Sequence, residues 1–402
     1  MTRHSSDKTL PMSRRAVLGG AAAAAAASTF PAPAVRAQGA KIKIGLMLPY
    51  SGTYAALGNN IADGMMLAIN EKGGKLGGRE VRYVKLDDES EPAKGAQNAN
   101  KLVVGEKVDI LVGTVHSGVA AAMVQVAREE QATLLIPNAG VGDATGKLCA
   151  PNIFRTSFSN WQPGFPMGKV AAEMGHKNAV TITWKYAAGE ESTQGFKDGF
   201  ATGGGKVTND LRVPFPDVEF QALLTEIASI KPDCVYTFFA GGGAVKFVKD
   251  YDAAGLKKSI PLYGPGFLTD GTLQAQGASA DGLLTTLHYV EDLPNPINQK
   301  FKADFQKATS RPVDVYAVQG YDTGQVLVHG LTAVKGDAAA KKDFYAAMKG
   351  YKVPSPRGEW TFSKSQNPVQ DFYLRKVVGG ENRYQKIAVK ALAEPTDACK
   401  MA

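Results

Sequence analysis

Residues 109–130 read DILVGTVHSGVAAAMVQVAREE, and the parsing of that stretch decides the fold. Positions 109–113 form an apolar run of strand length, and 118–130 place small and apolar residues at helical spacing. The turn Thr114-Val115-His116-Ser117 joins them. The same alternation extends in both directions, with strands expected over 43–48, 81–86, 133–136, 179–184, 233–239 and 283–287. Helices are expected over 57–71, 92–104 and 243–254. Strand-helix alternation implies parallel sheets with helices on both faces. It runs once through 41–155 and again through 163–288, which gives two doubly wound lobes. In such a sheet ligands settle at the carboxyl ends of the strands where strand order reverses. With order 2-1-3-4-5 in the first lobe, that point lies between the loops 49–54 and 114–118, with the loop 137–140 beside them.

Ser117 follows His116 directly, which raises the question of a nucleophile with its base. A nucleophile elbow needs glycines two residues either side of the serine, and here Val115 and Val119 stand there. Triad partners also meet in space rather than as chain neighbours. Ser117 is therefore expected to be the N-cap of a helix, where free N–H groups and the helix dipole favour an anion. Phosphate loops are missing: no Gly-x-Gly-x-x-Gly links a strand to a helix, and the triplet Gly241-Gly242-Gly243 is explained by a tight turn.

The N-terminus carries an address. Ser13-Arg14-Arg15-Ala16-Val17-Leu18 resembles a twin-arginine export motif, followed by an Ala-rich apolar stretch and the small-x-small signal Val35-Arg36-Ala37. Residues 1–37 are read as a signal peptide cleaved after Ala37, with the remainder in the periplasm. No cysteine stands at the cleavage point to take a lipid. The net charge is +8, but Arg3, Lys8, Arg14, Arg15 and Arg36 lie in the signal against Asp7 alone. The exported chain is then too mildly basic to argue for nucleic acid. Its length, roughly 365 residues, exceeds what one core usually organises. Of three cysteines, Cys234 sits in an apolar strand, whereas Cys149 and Cys399 lie in irregular stretches where an oxidising compartment permits a bridge. Scattered Cys and His show no metal-ligand spacing, and no cofactor is implied.

Several stretches, in order, resemble the branched-chain amino-acid type of periplasmic substrate-binding protein, the soluble receptor of an ABC importer. They are IGLMLPYSGTYAALG (44–58), INEKGG (69–74), LDDESEP (86–92), FRT (154–156), PDCVY (232–236) and AAGL (253–256). The resemblance implies the type I periplasmic binding protein fold: α/β, two doubly wound parallel-sheet lobes joined by a three-crossover hinge. The crossovers would fall near 158–161, 287–290 and 357–363. The N-terminal lobe would be 38–158 plus 289–357, the C-terminal lobe 159–288 plus 358–395, and 396–402 a tail. Carried over loop by loop, the serine that holds a ligand carboxylate matches Ser117, and Asn138, Ala139 and Gly140 match the loop beside it. His116 could donate to the same carboxylate, and Tyr54 lies on the adjoining loop.

The positions that hold an α-ammonium depart from the pattern. Gly266 stands where the family has the glutamate of Gly-Pro-Glu, and Asn160 stands where an acid follows Phe-Arg-Thr. Ala188 falls near one cleft tyrosine, and Phe239 and Ala240 occupy the region of another. A buried ammonium without a carboxylate costs several kcal/mol, so these losses argue against an amino acid. The freed space beside Phe239, Phe267, Tyr186, Trp161 and Trp184 suits a flat ring. The expected function is capture of a small aromatic carboxylate by hinge closure, by a monomer that serves an inner-membrane ABC permease. No bond is made, and nucleic acid plays no part. Branched-chain or other neutral amino acids are the alternative ligands; a ligand sensor and a Ser117 hydrolase are the rival classes.

Overall fold

The computed structural model describes residues 1–2, 40–395 and 397–401. The expected signal peptide lies, beyond its first two residues, outside them, as do positions 396 and 402 of the expected tail. The fold below is that of the compact unit Ala40–Ala402.

The first sheet is built from β1 (Ile42–Leu48), β2 (Arg79–Asp87), β3 (Ile110–Gly113), β4 (Thr133–Ile136) and β5 (Ile153–Arg155). They run parallel in the order β2-β1-β3-β4-β5, with the short strand Lys75–Leu76 antiparallel on the outer edge of β2. β1 and β3 are near-continuous apolar runs, as strands covered on both faces must be. Helices α1 (Ala55–Asn70), α2 (Pro92–Asn100) and α3 (Ser117–Glu129) provide the crossovers.

The second sheet repeats the winding. β6 (Asn178–Trp184), β7 (Lys206–Val213), β8 (Cys234–Phe238), β9 (Leu262–Pro265) and β10 (Leu284–Leu287) are parallel in the order β7-β6-β8-β9-β10. Helices α4 (Trp161–Glu173), α5 (Ala187–Ala201), α6 (Gln221–Ile230) and α7 (Gly241–Ala253) belong to it. β11 (Pro368–Val378) then adds antiparallel to β10, and β12 (Glu381–Leu392) pairs with β11. Between β10 and β11 the chain forms α8 (Pro296–Thr309), α9 (Val315–Ala333) and α10 (Lys341–Lys349), and α9 packs along α1 beside the first sheet.

The chain thus passes between the sheets three times, after β5, after β10 and before β11. Arg357, in the third passage, is fully buried and ties the passages together. Its guanidinium donates to the carbonyls of Thr156 (2.7 Å) and Ser157 (3.2 Å) in the first passage. It also pairs with Asp322 of α9 at 3.0 Å. Cys149 and Cys399 are joined by a disulfide across 250 positions of sequence, with Cα atoms 5.7 Å apart. Cys234 is free and buried, and burial pushes its thiol up to about 12.

α1 and α9 meet backbone to backbone. A Cβ on Gly320 would lie 2.0 Å from the carbonyl oxygen of Ile61, so only glycine admits this approach. Gly320→Ala should destabilise the protein by about 1–3 kcal/mol or more through overpacking, read as a lower urea midpoint. An unchanged midpoint would mean that the two helices part at no cost.

Candidate functional site

Both sheets put their point of strand reversal at the same cleft. In the first sheet it lies between β1 and β3, whose following loops carry Tyr54, Val115 and Ser117. In the second it lies between β6 and β8, followed by Tyr186 and by Phe238 and Ala240. These residues enclose a cavity of about 20 Å³ together with Leu57, Asn138, Gly140, Phe158, Asn160, Ala188, Phe267 and Tyr316. That is room for little more than one water, so a ring enters only as the walls of the cleft part. No carboxylate, Lys, Arg or His side chain lines it among the described residues.

Four helices begin at its wall. Ser117 is the first residue of α3, and Asn160, Tyr186 and Ala240 flank the starts of α4, α5 and α7. The free N–H groups and the positive dipole ends at such termini favour an anion. Ser117 is not the N-cap expected of it. His116 takes that role, its Nδ1 accepting from the Gly118 N–H at 3.1 Å. The Ser117 hydroxyl instead accepts from the Asn160 side-chain amide at 3.2 Å, which leaves its own proton to donate. Asn160 in turn donates to Glu191 at 2.8 Å, and Glu191 also accepts from the Gly142 N–H at 2.9 Å. Burial raises the Glu191 carboxyl. This acid stands behind Asn160 and orients it without lining the cavity. Asn138 donates to Gln319 at 2.7 Å.

The lobes touch across the cleft where the Tyr54 and Tyr186 hydroxyls meet at 2.9 Å. The Tyr186 ring stacks on His116, with centroids 4.6 Å apart. Phe158 and Phe267 form a second aromatic contact at 4.7 Å, and Phe267 reaches Phe238 at 6.4 Å and Tyr316 at 6.0 Å.

The structure brings Tyr54, Ser117, Asn138, Gly140, Asn160, Tyr186, Ala240 and Phe267 around this cavity and leaves six expected residues off its wall. Strand alternation turns Phe238 into the cleft and Phe239 into the core, where it packs on Trp184, Phe220 and Phe247. Trp184 is likewise core, donating to the Asp217 carbonyl. Trp161 lies on the outer side of α4, stacked on Phe165 and donating to Asp198 at 2.7 Å. The Ala139 N–H is taken by the Thr114 carbonyl at 2.9 Å. His116 serves as cap and as backing for Tyr186, and burial lowers its imidazole to about 4, so it is neutral. Gly266 opens no room: a Cβ there would lie 2.4 Å from the Arg375 guanidinium and 2.6 Å from Leu287.

The sequence reading missed Leu57, Val115, Phe238 and Tyr316 as wall residues and named Phe158 only as a crossover. β8 is buried at every position, so no alternation in its sequence tells Phe238 from Phe239. Nothing local marks Tyr316, which α9 delivers from a distant part of the chain.

The sequence profile of the periplasmic binding protein family matches residues 41–382. The chain belongs to that family. This periplasmic binding protein is similar to a solute-binding protein of an ABC transporter from R. palustris, solved in complex with benzoate. The two are 53% identical with a TM-score of 0.87, over 90% of this chain and 99% of that one. A second solute-binding protein, from Rhodopseudomonas palustris HaA2 in complex with p-hydroxybenzoic acid, is 31% identical with a TM-score of 0.83, over 88% and 98% of the two chains. Among curated relatives, Leu/Ile/Val-binding protein homolog 6 of Brucella melitensis is 31% identical over 348 residues, which is 85% of this chain and 88% of that protein. Its family makes this a non-catalytic binding protein, located in the periplasm.

The neutral His116 has a consequence for stability. Its imidazole takes up a proton more readily unfolded than folded, so stability is full above pH 6.5 and falls as pH drops toward about 4. His116→Asn keeps a capping side chain and removes that dependence. The stability gap between wild type and variant should shift against the wild type by about 2 kcal/mol between pH 7 and pH 5. A gap that does not change with pH would show that His116 is charged in the fold.

Proposed function

We propose that this protein is the solute-binding component of an ABC importer and captures a small aromatic carboxylate between its lobes. The observation that carries the reading is a small aromatic-walled cavity, lined by no ionised side chain among the described residues, with four helix N-termini at its wall. Such a site offers an anion fixed N–H dipoles and the Ser117 hydroxyl, and offers a ring the faces of Phe158, Phe238 and Phe267. The carboxylate then sits at Ser117, Gly140 and Asn160. Binding draws 38–158 plus 289–357 and 159–288 plus 358–395 together about the three passages, and an inner-membrane permease reads the closed form. The relatives solved with benzoate and p-hydroxybenzoic acid support the same ligand class.

Curated relatives carry Leu/Ile/Val-binding names, which favours a second reading, a neutral amino acid. An ammonium in this cavity would find no carboxylate on its wall among the described residues, and Glu191, behind Asn160, is engaged by Asn160 and Gly142. The aromatic acid is therefore preferred.

A thermal-shift panel of the exported chain tests the choice. Benzoate-type acids at a hundred times their Kd should stabilise the fold by about 2.7 kcal/mol through mass action, while leucine and valine should leave the midpoint unmoved. A strong shift with leucine and none with benzoates would reverse the assignment. Ser117→Ala should weaken binding of the aromatic acid by about 1–3 kcal/mol, measured by calorimetric titration. Equal affinity would remove Ser117 from the ligand.

A further inference from the structure

Tyr316 reaches the cavity from α9, and its hydroxyl is buried with no hydrogen-bond partner. Beside it stands the Tyr54–Tyr186 pair, whose hydroxyls meet at 2.9 Å. A phenol carries one proton, so whichever of the pair donates, the other's proton is left over. Neither hydroxyl has a further partner among the described residues. Two O–H donors on cavity-lining residues are therefore left without an acceptor among the described residues. All three phenols stay protonated: burial raises each of them, and Tyr186 acts on both Tyr54 and Tyr316, which places the three within electrostatic reach of one another.

Buried donors without acceptors are rare because losing water without replacement is unfavourable. The phenols arrive on the turn before α1, the start of α5 and the start of α9, whereas Ser117 opens α3. With the carboxylate at Ser117, as the proposed function has it, the phenols meet the ring substituents. We infer that the phenols read a hydroxyl on the ring, so that the preferred ligand is a 3- or 4-hydroxybenzoate-type acid rather than unsubstituted benzoate. Tyr316 is then a specificity-determining residue. A site built to hydrogen-bond a ligand hydroxyl discriminates sharply against the analogue that lacks it.

The test is calorimetric titration of wild type and Tyr316→Phe with benzoate, 3-hydroxybenzoate, 4-hydroxybenzoate and 4-methylbenzoate. At least one hydroxybenzoate should bind wild type about tenfold or more tighter than benzoate, and 4-methylbenzoate should bind no tighter than benzoate. Tyr316→Phe should erase most of the hydroxyl advantage, weakening the preferred hydroxybenzoate by about fivefold or more beyond any change in benzoate affinity. Because the Tyr316 hydroxyl has no partner in the protein, the unliganded variant should melt no lower than wild type. Benzoate binding as tightly as both hydroxybenzoates would overturn the inference and leave the proposed function intact. A variant weakened equally toward every acid would place Tyr316 at the carboxylate and overturn it as well. If none of the four acids binds, both the inference and the proposed function fall.

Discussion

Arg375 conditions what the cleft can hold. It lies on β11, wholly buried, and its guanidinium pairs with Asp270 while donating to the Gly266 carbonyl at 2.9 Å and the Thr269 hydroxyl at 3.0 Å. Thr285 and the Tyr289 carbonyl, both at 3.1 Å, complete its partners. The turn that carries Phe267 is thereby fixed to the second sheet. Asp270 also accepts the Val315 N–H at 3.0 Å, at the start of the helix that carries Tyr316. One buried ion pair thus sets the positions of an aromatic wall in each lobe. Removing a single partner of such a pair leaves a bare buried charge and costs about 3–5 kcal/mol. The same guanidinium fills the space beside Gly266, so the glutamate that would meet an ammonium has no room there.

A cavity without formal charge can still select an anion. Helix N-termini supply partial positive charge that is fixed by the fold, and the Ser117 proton is free because His116 caps α3 and Asn160 donates to the serine oxygen. A neutral site of this kind holds an anion without burying an extra side-chain charge. The Tyr54–Tyr186 contact ties the lobes together at the same place. Opening the cleft breaks that contact and exposes the aromatic wall to water.

Much of this was legible in the sequence. Apolar runs such as IKIGLML and ILVG declare buried parallel strands, and the helix after β3 follows from its spacing. β7 was hidden because KVTNDLRV is polar and half exposed, and β9 because it is four residues ending in Gly-Pro. β12, a sheet edge with its outer face in water, carries too many polar residues to declare itself. In the site, Ser117 and the 138–140 loop were reachable from topology alone. A run of two aromatics does not reveal its register, so the sequence points to Phe239 where the structure has Phe238. Trp161 was misplaced because the face of α4 it occupies depends on where that helix starts. Tyr316 and Arg375 act through contacts between remote parts of the chain, and no local pattern announces those.

A crystal structure of the protein with 4-hydroxybenzoate tests the account most directly. It should show the carboxylate within about 3 Å of the Ser117 Oγ, the ring between Phe238 and Phe267, and the Arg375–Asp270 pair intact beneath it. A carboxylate turned away from α3, or a ligand seated outside this cavity, would contradict it.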